Sequence, residues 1–175
     1  MVEVKCGEAV VLEHASGVVS LSQKIEFKEL KEVDLNTVSE LHALFPHWKQ
    51  SSVQRKINDT ISGMDKRFVA LVDGKISAHV RVVFGKGLHK HRAELFSLIV
   101  APKHRHHGLG FHLMDFVLKN LPSSTKLVLL STGSKNKPAI HLYKKLGFKK
   151  YGLLKKASIV NGRFVDNYLM CKELP

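Results

Sequence analysis

The chain has 175 residues, a length that suits one well-buried domain and is short for two. Hydrophobic residues at 44% and charged residues at 25% are typical of an ordinary soluble globular protein. The net charge of +13 is not ordinary, and it indicates an anionic ligand, a nucleic acid, an acidic surface, or only a means of staying soluble.

The composition also argues against export and membrane insertion. Glu3 and Glu8 interrupt the apolar residues of the N-terminus, which is unlike a signal peptide, and no apolar run approaches membrane-spanning length. Cys6 and Cys171 lie at opposite ends of the chain with no second pair, so neither a disulfide framework nor a zinc site is indicated. We therefore expect reduced cysteines and a cytoplasmic protein.

The first 24 residues are the hardest to interpret and are expected to form an N-terminal extension. Three short apolar runs suggest strands of an added hairpin there: Val2–Val4, Ala9–Leu12 and Val18–Leu21. The next segment, Ile25–Leu30, alternates with period 2 and predicts a strand.

Two helices and a hairpin are predicted next. Asp34 caps a helix that runs to about Leu44 and is stopped by Pro46, and a second helix follows from about Ser51 to Ser62. Two strand-like runs flank the turn Asp73-Gly74 and give a strong hairpin signal, Arg67–Val72 and Lys75–Phe84.

A basic loop, 85–92, leads into a predicted strand, Ala93–Val100, and then into a basic turn marked by glycines. The turn opens a helix from Leu109 to Asn120, which ends before Pro122. Apolar residues cover most of the circumference of this helix, so we expect it to be buried on more than one side.

The rest of the chain predicts three strands and one helix. Lys126–Ser131 is an apolar strand that must lie inside a sheet, and a short helix runs from Pro138 to Leu146, closed by Gly147. Two final strands, from Phe148 onward and Gly162–Lys172, flank the turn Asn161-Gly162. The order βααβββαβαββ predicts a mixed sheet with helices on both faces.

The turn after the Ala93–Val100 strand has the chemistry of a phosphate site. The first N–H groups of a helix lack an intrahelical partner and carry partial positive charge, so an anion supplies both the acceptor and the countercharge. Gly108 and Gly110 remove Cβ atoms that would hold a diphosphate away from the backbone, and Arg105 adds a charged fork. A dinucleotide fingerprint fails, because the position of its third glycine is Leu113.

With these residues in view, the chain resembles the GNAT superfamily of acetyl-CoA-dependent N-acetyltransferases. Arg105-His-His-Gly108-Leu-Gly110 matches the family's phosphate-loop pattern, and Val100-Ala-Pro102 precedes it as usual. Asn136-Lys-Pro-Ala139-Ile-His-Leu-Tyr143-Lys-Lys-Leu-Gly147-Phe148 matches a second family motif at the expected separation. The resemblance covers about Ile25 to Glu173.

The resemblance implies an α/β (α+β) fold, with a mixed, mostly antiparallel central sheet of about seven strands and about four flanking helices, over residues 25–175. It also implies that acetyl-CoA is the co-substrate and that no metal is needed. The expected cofactor-binding residues are the strand end beside the pantetheine arm, the turn that binds the pyrophosphate and one asparagine near the arm: Leu98, Ile99, Val100, Arg105, His106, His107, Gly108, Leu109, Gly110 and Asn136.

Two catalytic residues follow from the same resemblance. Tyr143 would donate a proton to the departing CoA thiolate, and Glu94 lies where some family members place the general base. An alkyl ammonium has a pKa of ~10.4, so freeing its lone pair at pH 7 costs roughly 4 to 5 kcal/mol unless a base or a desolvating pocket helps. A backbone amide on the strand that carries Val100 is expected to hold the oxyanion.

Simpler roles compete with these. Tyr143 on its own resembles a core tyrosine, and Glu94 resembles a strand glutamate that pairs with Arg92. Five histidines invite a metal hypothesis, but neighbouring positions point apart and no carboxylate or cysteine completes a site. Their predicted role is to add positive charge beside phosphates as the pH falls through ~6.5. The histidines are His89, His91, His104, His106 and His107.

The function predicted is therefore direct transfer of an acetyl group from acetyl-CoA to an amine acceptor, with a small primary amine preferred. Acetylation of a protein amino group and a non-catalytic acyl-CoA-binding module remain alternatives. Aromatic residues make up only 7% and the basic stretches are short, so no stacking platform for nucleic acid is indicated. No membrane partner is expected, and a homodimer stays open.

Overall fold

The computed structural model describes residues 10–11, 23–31, 35–45 and 65–175. Within these ranges eight strands form one sheet. In chain order the strands are β1 (Val10–Val11), β2 (Lys24–Glu29), β3 (Asp65–Val72), β4 (Lys75–Phe84), β5 (Arg92–Val100), β6 (Leu127–Gly133), β7 (Lys149–Val160) and β8 (Arg163–Glu173). The α-helices are α1 (Leu35–Leu44), α2 (Leu109–Lys119) and α3 (Lys137–Lys145), and 3₁₀ turns cover Gly87–His89 and Pro102–His104.

The sheet has the strand order β1-β2-β3-β4-β5-β6-β8-β7. Every neighbouring pair is antiparallel except β5 and β6, which are parallel because α2 carries the chain back across the sheet between them. The predicted mixed, mostly antiparallel sheet is thereby confirmed. The sheet has one strand more than the seven expected. This extra strand is the two-residue β1, which lies within the predicted run Ala9–Leu12 and pairs with β2.

The described ranges contain three of the roughly four helices expected. The fourth, Ser51–Ser62, lies outside the described residues, as do the predicted cap Asp34 and stop Pro46 and the predicted strands Val2–Val4 and Val18–Leu21. No helix in the described part of the chain is long and apolar enough to cross a membrane.

The two faces of the sheet bury different cores, as predicted. On the face here called the α1 face, Val38 and Leu41 of α1 pack against Val69 and Leu71 of β3. On the opposite face, here called the α2 face, α2 and α3 cover the larger core. Its side chains from the two helices are Leu109, Leu113, Met114, Phe116, Val117 and Tyr143, joined by Leu146 at the end of α3. Those from β4, β5 and β6 are Ala78, Val80, Val82, Ala93, Leu95, Val128 and Leu130. Because side chains alternate along a strand, the residues between these point to the α1 face.

A gap opens in the sheet between the two parallel strands. β5 and β6 pair only from Arg92–Leu127 to Leu95–Leu130, although β5 continues to Val100 and β6 to Gly133. Beyond the Leu95–Leu130 pair, the facing edges of β5 and β6 are not paired with each other. This opening ends beside the turn that begins α2, so the sheet and the helix N-terminus share one corner of the fold.

A β-bulge in β5 accompanies the gap. Between the pairs Arg81–Phe96 and His79–Ile99, β5 has one residue more than β4, and Ser97 adopts a left-handed φ of 54°. The fully buried His79 holds this bulge: its Nδ1 donates to the Ser97 carbonyl oxygen at 3.3 Å. Its Nε2 accepts from Arg67 Nη1 at 3.1 Å, so the imidazole is the neutral Nδ1–H tautomer.

This buried histidine predicts a specific loss of stability in mild acid. Burial, assisted by Arg67 and then Arg81, lowers the pKa of His79 from 6.5 to about 3. The unfolded chain therefore takes up a proton below about pH 6.5 that the folded chain refuses until about pH 3, and the free energy of unfolding should fall by about 2 kcal/mol between pH 7 and pH 5. Urea unfolding at both pH values measures this.

The matched variant is His79→Asn, whose amide can still donate to the Ser97 carbonyl but does not titrate. Its free energy of unfolding should change between pH 7 and pH 5 by about 2 kcal/mol less than that of the wild type. His89→Asn, at an exposed position, controls for the loss of an imidazole. An identical pH dependence in wild type and His79→Asn would show that His79 is not the group responsible.

The β7–β8 hairpin extends past the rest of the sheet. β6 ends at Gly133 opposite Asn167, so residues 163–165 of β8 pair with β7 alone. The hairpin exposes large apolar side chains, namely Tyr151, Leu153, Leu154, Ile159, Val160 and Phe164. β7 also carries lysines along this outer edge of the sheet, a common protection of an edge strand against pairing.

Candidate active site

The turn between β5 and α2 has the backbone geometry of an anion site. His106 and Gly108 both take left-handed φ values, 65° and 80°. The N–H groups of Phe111 and His112 donate to the Gly108 carbonyl at 2.9 and 3.1 Å, so those of Leu109 and Gly110 precede the first intrahelical bonds. These donors and the helix dipole act at the same corner as the gap, which suits a diphosphate.

Arg105 ties this turn to the end of β5. Its Nε donates to the Val100 carbonyl at 2.9 Å, while the side chain as a whole is exposed. The terminal guanidinium nitrogens therefore stay accessible beside the turn, where they can meet an anion. The arginine thus positions the loop as well as adding charge to it.

Gly110 also has a packing role. A Cβ atom at this position would lie 3.2 Å from Val100 Cγ2 and 3.3 Å from Leu142 Cδ1. Both distances are shorter than an ordinary van der Waals contact. The absence of a side chain at Gly110 therefore lets α2 approach β5 and α3 closely. Gly108 remains the glycine of the turn itself, because its φ is one that other residues rarely adopt.

The histidine beside the turn contributes less charge than predicted. Burial, and then the charge of Lys103, lowers the pKa of His104 below 6.5. Burial likewise lowers the pKa of His112, on the first turn of α2. Protonation of both histidines is therefore delayed to lower pH, and at neutral pH Lys103 and Arg105 provide the standing positive charge of the turn.

Tyr143 lies in the core of the α2 face, as its position on α3 predicts. The side chain is 8% exposed and its ring packs edge-on against Phe148, with centroids 5.9 Å apart. Burial raises the pKa of its phenol to about 12. The phenol therefore stays protonated throughout the physiological pH range, so it can donate a hydrogen bond or a proton.

Asn136 has a structural role that the sequence motif did not reveal. It is the N-cap of α3, and its Oδ1 accepts from the Ala139 N–H at 3.3 Å. The cap orients the side chain at the loop that follows β6, leaving its Nδ2 as the group that can face a ligand.

Glu94 lies on β5 near the end of its pairing with β6, just before the gap. It pairs with Leu129 of β6 and Val83 of β4, one residue before the last pair of β5 and β6. Its neighbours Ala93 and Leu95 belong to the α2-face core, so Glu94 points to the α1 face. Among the described residues no ion pair joins Glu94 to Arg92, whose Nε instead lies 3.4 Å from His91 Nε2.

Sequence reasoning missed several α1-face residues around the gap. Phe96, 38% exposed, follows the last residue of β5 that pairs with β6 and lies under Arg81, whose Cζ is 5.8 Å from the ring centroid. Asp65 is neutralised by its contact with Arg81. Across the gap, Ser131 of β6 and Asn167 of β8 form a hydrogen bond at 3.0 Å. Only the pairing of strands distant in sequence brings these residues together.

Across the described ranges, no group of three or more His, Cys, Asp or Glu side chains is arranged to hold a metal ion. The histidines of the turn and of the preceding loop do not converge on one point there. The chemistry of the corner is that of backbone donors, the cations Lys103 and Arg105, and one glutamate.

Comparison with known proteins gives a consistent family signal. The profile described as the acetyltransferase (GNAT) family matches residues 35–148. L-amino acid N-acetyltransferase AaaT of Escherichia coli (strain K12) is 27% identical over 143 residues, which are 81% of this chain and 84% of that protein. Spermidine N(1)-acetyltransferase of Escherichia coli (strain K12) is 34% identical over 113 residues, 61% of this chain but only 58% of that protein.

The fold has close counterparts among solved structures. The structure of yncA from Salmonella typhimurium with its cofactor acetyl-CoA superposes with a TM-score of 0.69 at 15% identity, over 86% of this chain and 94% of that one. At this level of identity the likeness concerns the fold alone.

Proposed function

The chain belongs to the acetyltransferase (GNAT) family, a class of acyl-CoA N-acyltransferases, and from this premise we propose that it transfers an acetyl group from acetyl-CoA directly to a small primary amine. The observation that carries the proposal is the gap between β5 and β6, which opens beside the anion-binding turn of α2. A strand-like ligand arm fits between the two diverging strands, and its diphosphate fits at the helix N-terminus.

Each group of acetyl-CoA has residues that fit it. Backbone N–H groups from His106 to Gly110, with Arg105 beside them, would bind the pyrophosphate. The free edge of β5, Leu98 to Val100, would bond the amide groups of the pantetheine arm, and the Asn136 amide would contact that arm from the other side of the gap. Acetyl-CoA supplies the activated thioester. The residues of the chain would position the two substrates and transfer the protons.

Glu94 is the proposed base. It accepts a proton from the acceptor's ammonium, itself or through a water, at the place of reaction, and so offsets part of the roughly 4 to 5 kcal/mol cost of presenting a neutral amine at pH 7. Its place on the α1 face, without an ion pair in the described part of the chain, leaves the carboxylate available. The amine nitrogen then forms a bond to the acetyl carbon as the carbon–sulfur bond breaks.

Two further groups manage the charge that develops. A backbone N–H of β5 near Val100 would hold the oxyanion of the acetyl carbonyl. The Tyr143 hydroxyl donates to the departing sulfur, because its raised pKa keeps it protonated. The acceptor nitrogen loses its second proton as the amide forms, and a proton taken up through solvent restores the Tyr143 phenol. The products are the N-acetyl amine, CoA with its thiol restored and one proton, which Glu94 releases to solvent.

The acceptor class is supported by the relatives. One is named for L-amino acids and the other for spermidine, and both of these are small molecules that carry amino groups. A protein amino group stays the alternative acceptor. The cytoplasmic location, the homodimer and the boundary between residues 24 and 25 stay predictions.

The test measures CoA release from acetyl-CoA across a panel of small monoamines, diamines, polyamines, amino acids and peptides. We expect turnover with at least one small amine and none above background without an acceptor. Turnover confined to peptides would favour the alternative acceptor. Binding of acetyl-CoA without turnover across the panel would contradict the proposal and favour a binding module.

A further inference from the structure

A polar cluster on the α1 face has no part in the steps above. It joins Ser131 of β6, Ser158 of β7 and Asn167 of β8, and is here called the Asn167 cluster. The Asn167 Nδ2 lies 3.0 Å from the hydroxyl oxygen of each serine and donates to both. Three strands contribute one side chain each, so the strand pairing of the sheet holds the amide in place.

The other end of this amide is unsatisfied. Asn167 Oδ1 is buried, and it is the single buried side-chain nitrogen or oxygen without a hydrogen-bond partner in the described ranges. A carbonyl oxygen removed from water loses its hydration, and native structures rarely leave such an atom without a donor. The orphaned oxygen therefore indicates a partner that the described residues do not provide.

The cluster adjoins the gap. Ser131 directly follows Leu130, the last residue of β6 that pairs with β5. Asn167 pairs with Gly133, where β6 ends. Leu130 and Met170 face the α2-face core, so Ser131 and Asn167 face the α1 face together with Glu94. A molecule that reaches the gap from the α1 face would meet Glu94 on the β5 side and the Asn167 cluster on the β6 side.

Resting on the proposed acetyl transfer, we propose that the Asn167 cluster is a subsite for a second N–H group of the acceptor, one that is not acetylated. An amide oxygen only accepts hydrogen bonds, so it selects ammonium or amine groups and disfavours carboxylate or phosphate. The acceptor class it fits is a diamine or polyamine, with one amine at the gap and another on Asn167 Oδ1.

Two acceptors of equal carbon chain separate this role from a structural one: 1,4-diaminobutane and butylamine, which differ by the second amine. Asn167→Leu should raise KM for the diamine about tenfold or more, in line with the loss of a hydrogen bond to a charged donor, and leave KM for butylamine nearly unchanged. A folding defect would change the kinetics with both acceptors alike, because it does not depend on which acceptor is used.

Asn167→Asp gives the opposite test in a side chain of the same shape. Its carboxylate can accept from both serine hydroxyls and adds a charge opposite to that of an ammonium, so KM for the diamine should fall while KM for butylamine changes little. Asn120→Asp makes the same change at the end of α2, where the asparagine side chain bonds the Phe116 carbonyl, and should affect neither acceptor. A raised diamine KM in Asn167→Asp would overturn the proposal.

The outcomes also separate this proposal from the proposed function. If amines are turned over but Asn167→Leu changes KM for the diamine no more than KM for butylamine, the subsite is overturned. Acetyl transfer then remains intact. If no amine supports CoA release, acetyl transfer fails, and calorimetric titration of 1,4-diaminobutane into the CoA-loaded protein then decides on the subsite. Binding that Asn167→Leu abolishes supports it, and absent or unchanged binding overturns it.

Discussion

Replacing Tyr143 by phenylalanine should lower kcat by about 100-fold or more while leaving the affinity for CoA nearly unchanged. The substitution removes only the hydroxyl, so the ring keeps its edge-on contact with Phe148 and its place in the core. What is lost is the hydroxyl that, in the proposed mechanism, donates to the departing sulfur. The effect therefore falls on the chemical step and not on binding.

The pKa of the phenol defines how this donation works. At about 12 the phenol of Tyr143 is a weaker acid than an ordinary thiol of pKa ~8.5, so full transfer to a free thiolate is uphill by roughly 5 kcal/mol. A hydrogen bond to the sulfur as charge builds is favourable from the start. Complete transfer becomes easier as the sulfur shares the same apolar surroundings, because burial raises the pKa of a thiol as well.

Steady-state kinetics with a saturating acceptor and direct titration of CoA measure both parts of this prediction. Tyr151→Phe is the matched control, since Tyr151 is 57% exposed on β7 and should keep wild-type kcat. The wild-type rate should also show no decline from tyrosine ionisation below about pH 11. A Tyr143→Phe enzyme with unchanged kcat would remove Tyr143 from the mechanism.

The second large effect is expected for Glu94→Gln, which should lower kcat/KM at pH 7 by about 100-fold. Glutamine keeps the size and polarity of the side chain and removes its ability to take a proton. The variant can then use only the fraction of the amine that is already neutral. Its kcat/KM should therefore rise about tenfold per pH unit toward the acceptor's pKa of ~10.4. The deficit against wild type should shrink as the pH rises.

A pH–rate profile of kcat/KM with one acceptor tests this, provided that acetyl-CoA is saturating. Glu26→Gln is the control, because strand alternation beside the core residues Ile25 and Phe27 places Glu26 on the same α1 face, but on β2 near the far edge of the sheet. Its profile should match the wild type. If Glu94→Gln also gives the wild-type profile, Glu94 has only a structural role.

Local signals account for the parts of the site that were predictable. The phosphate-type turn could be recognised because its donors are consecutive backbone N–H groups, and two glycines and an arginine mark them in one short segment. The bounds of α2 and α3 also follow from local chemistry, since Asn120 and Gly147 end them and Pro138 lies in the first turn of α3. In each case the interacting residues are within a few positions of one another.

Other parts of the site depend on residues far apart in the chain. Ser97 has no local reason to adopt a left-handed φ; it does so beside His79, which is 18 positions away and holds its carbonyl. The packing role of Gly110 likewise depends on distant residues, because its close neighbours Val100 and Leu142 come from β5 and α3. Sequence patterns report which face a residue occupies, but not which residue of another strand lies beside it.

The sequence by itself determined the family, the order of most elements and the turn that suits a diphosphate, because these rest on periodicity, caps and consecutive residues. Only the tertiary structure decided where β5 and β6 part, that Glu94 lacks an ion pair within the described residues, and that Asn167 keeps one amide oxygen without a donor. The register of strands distant in the chain is set by the packing of both faces of the sheet at once. The expected cofactor side of the site is therefore encoded in short local segments, whereas the acceptor side depends on the assembled sheet.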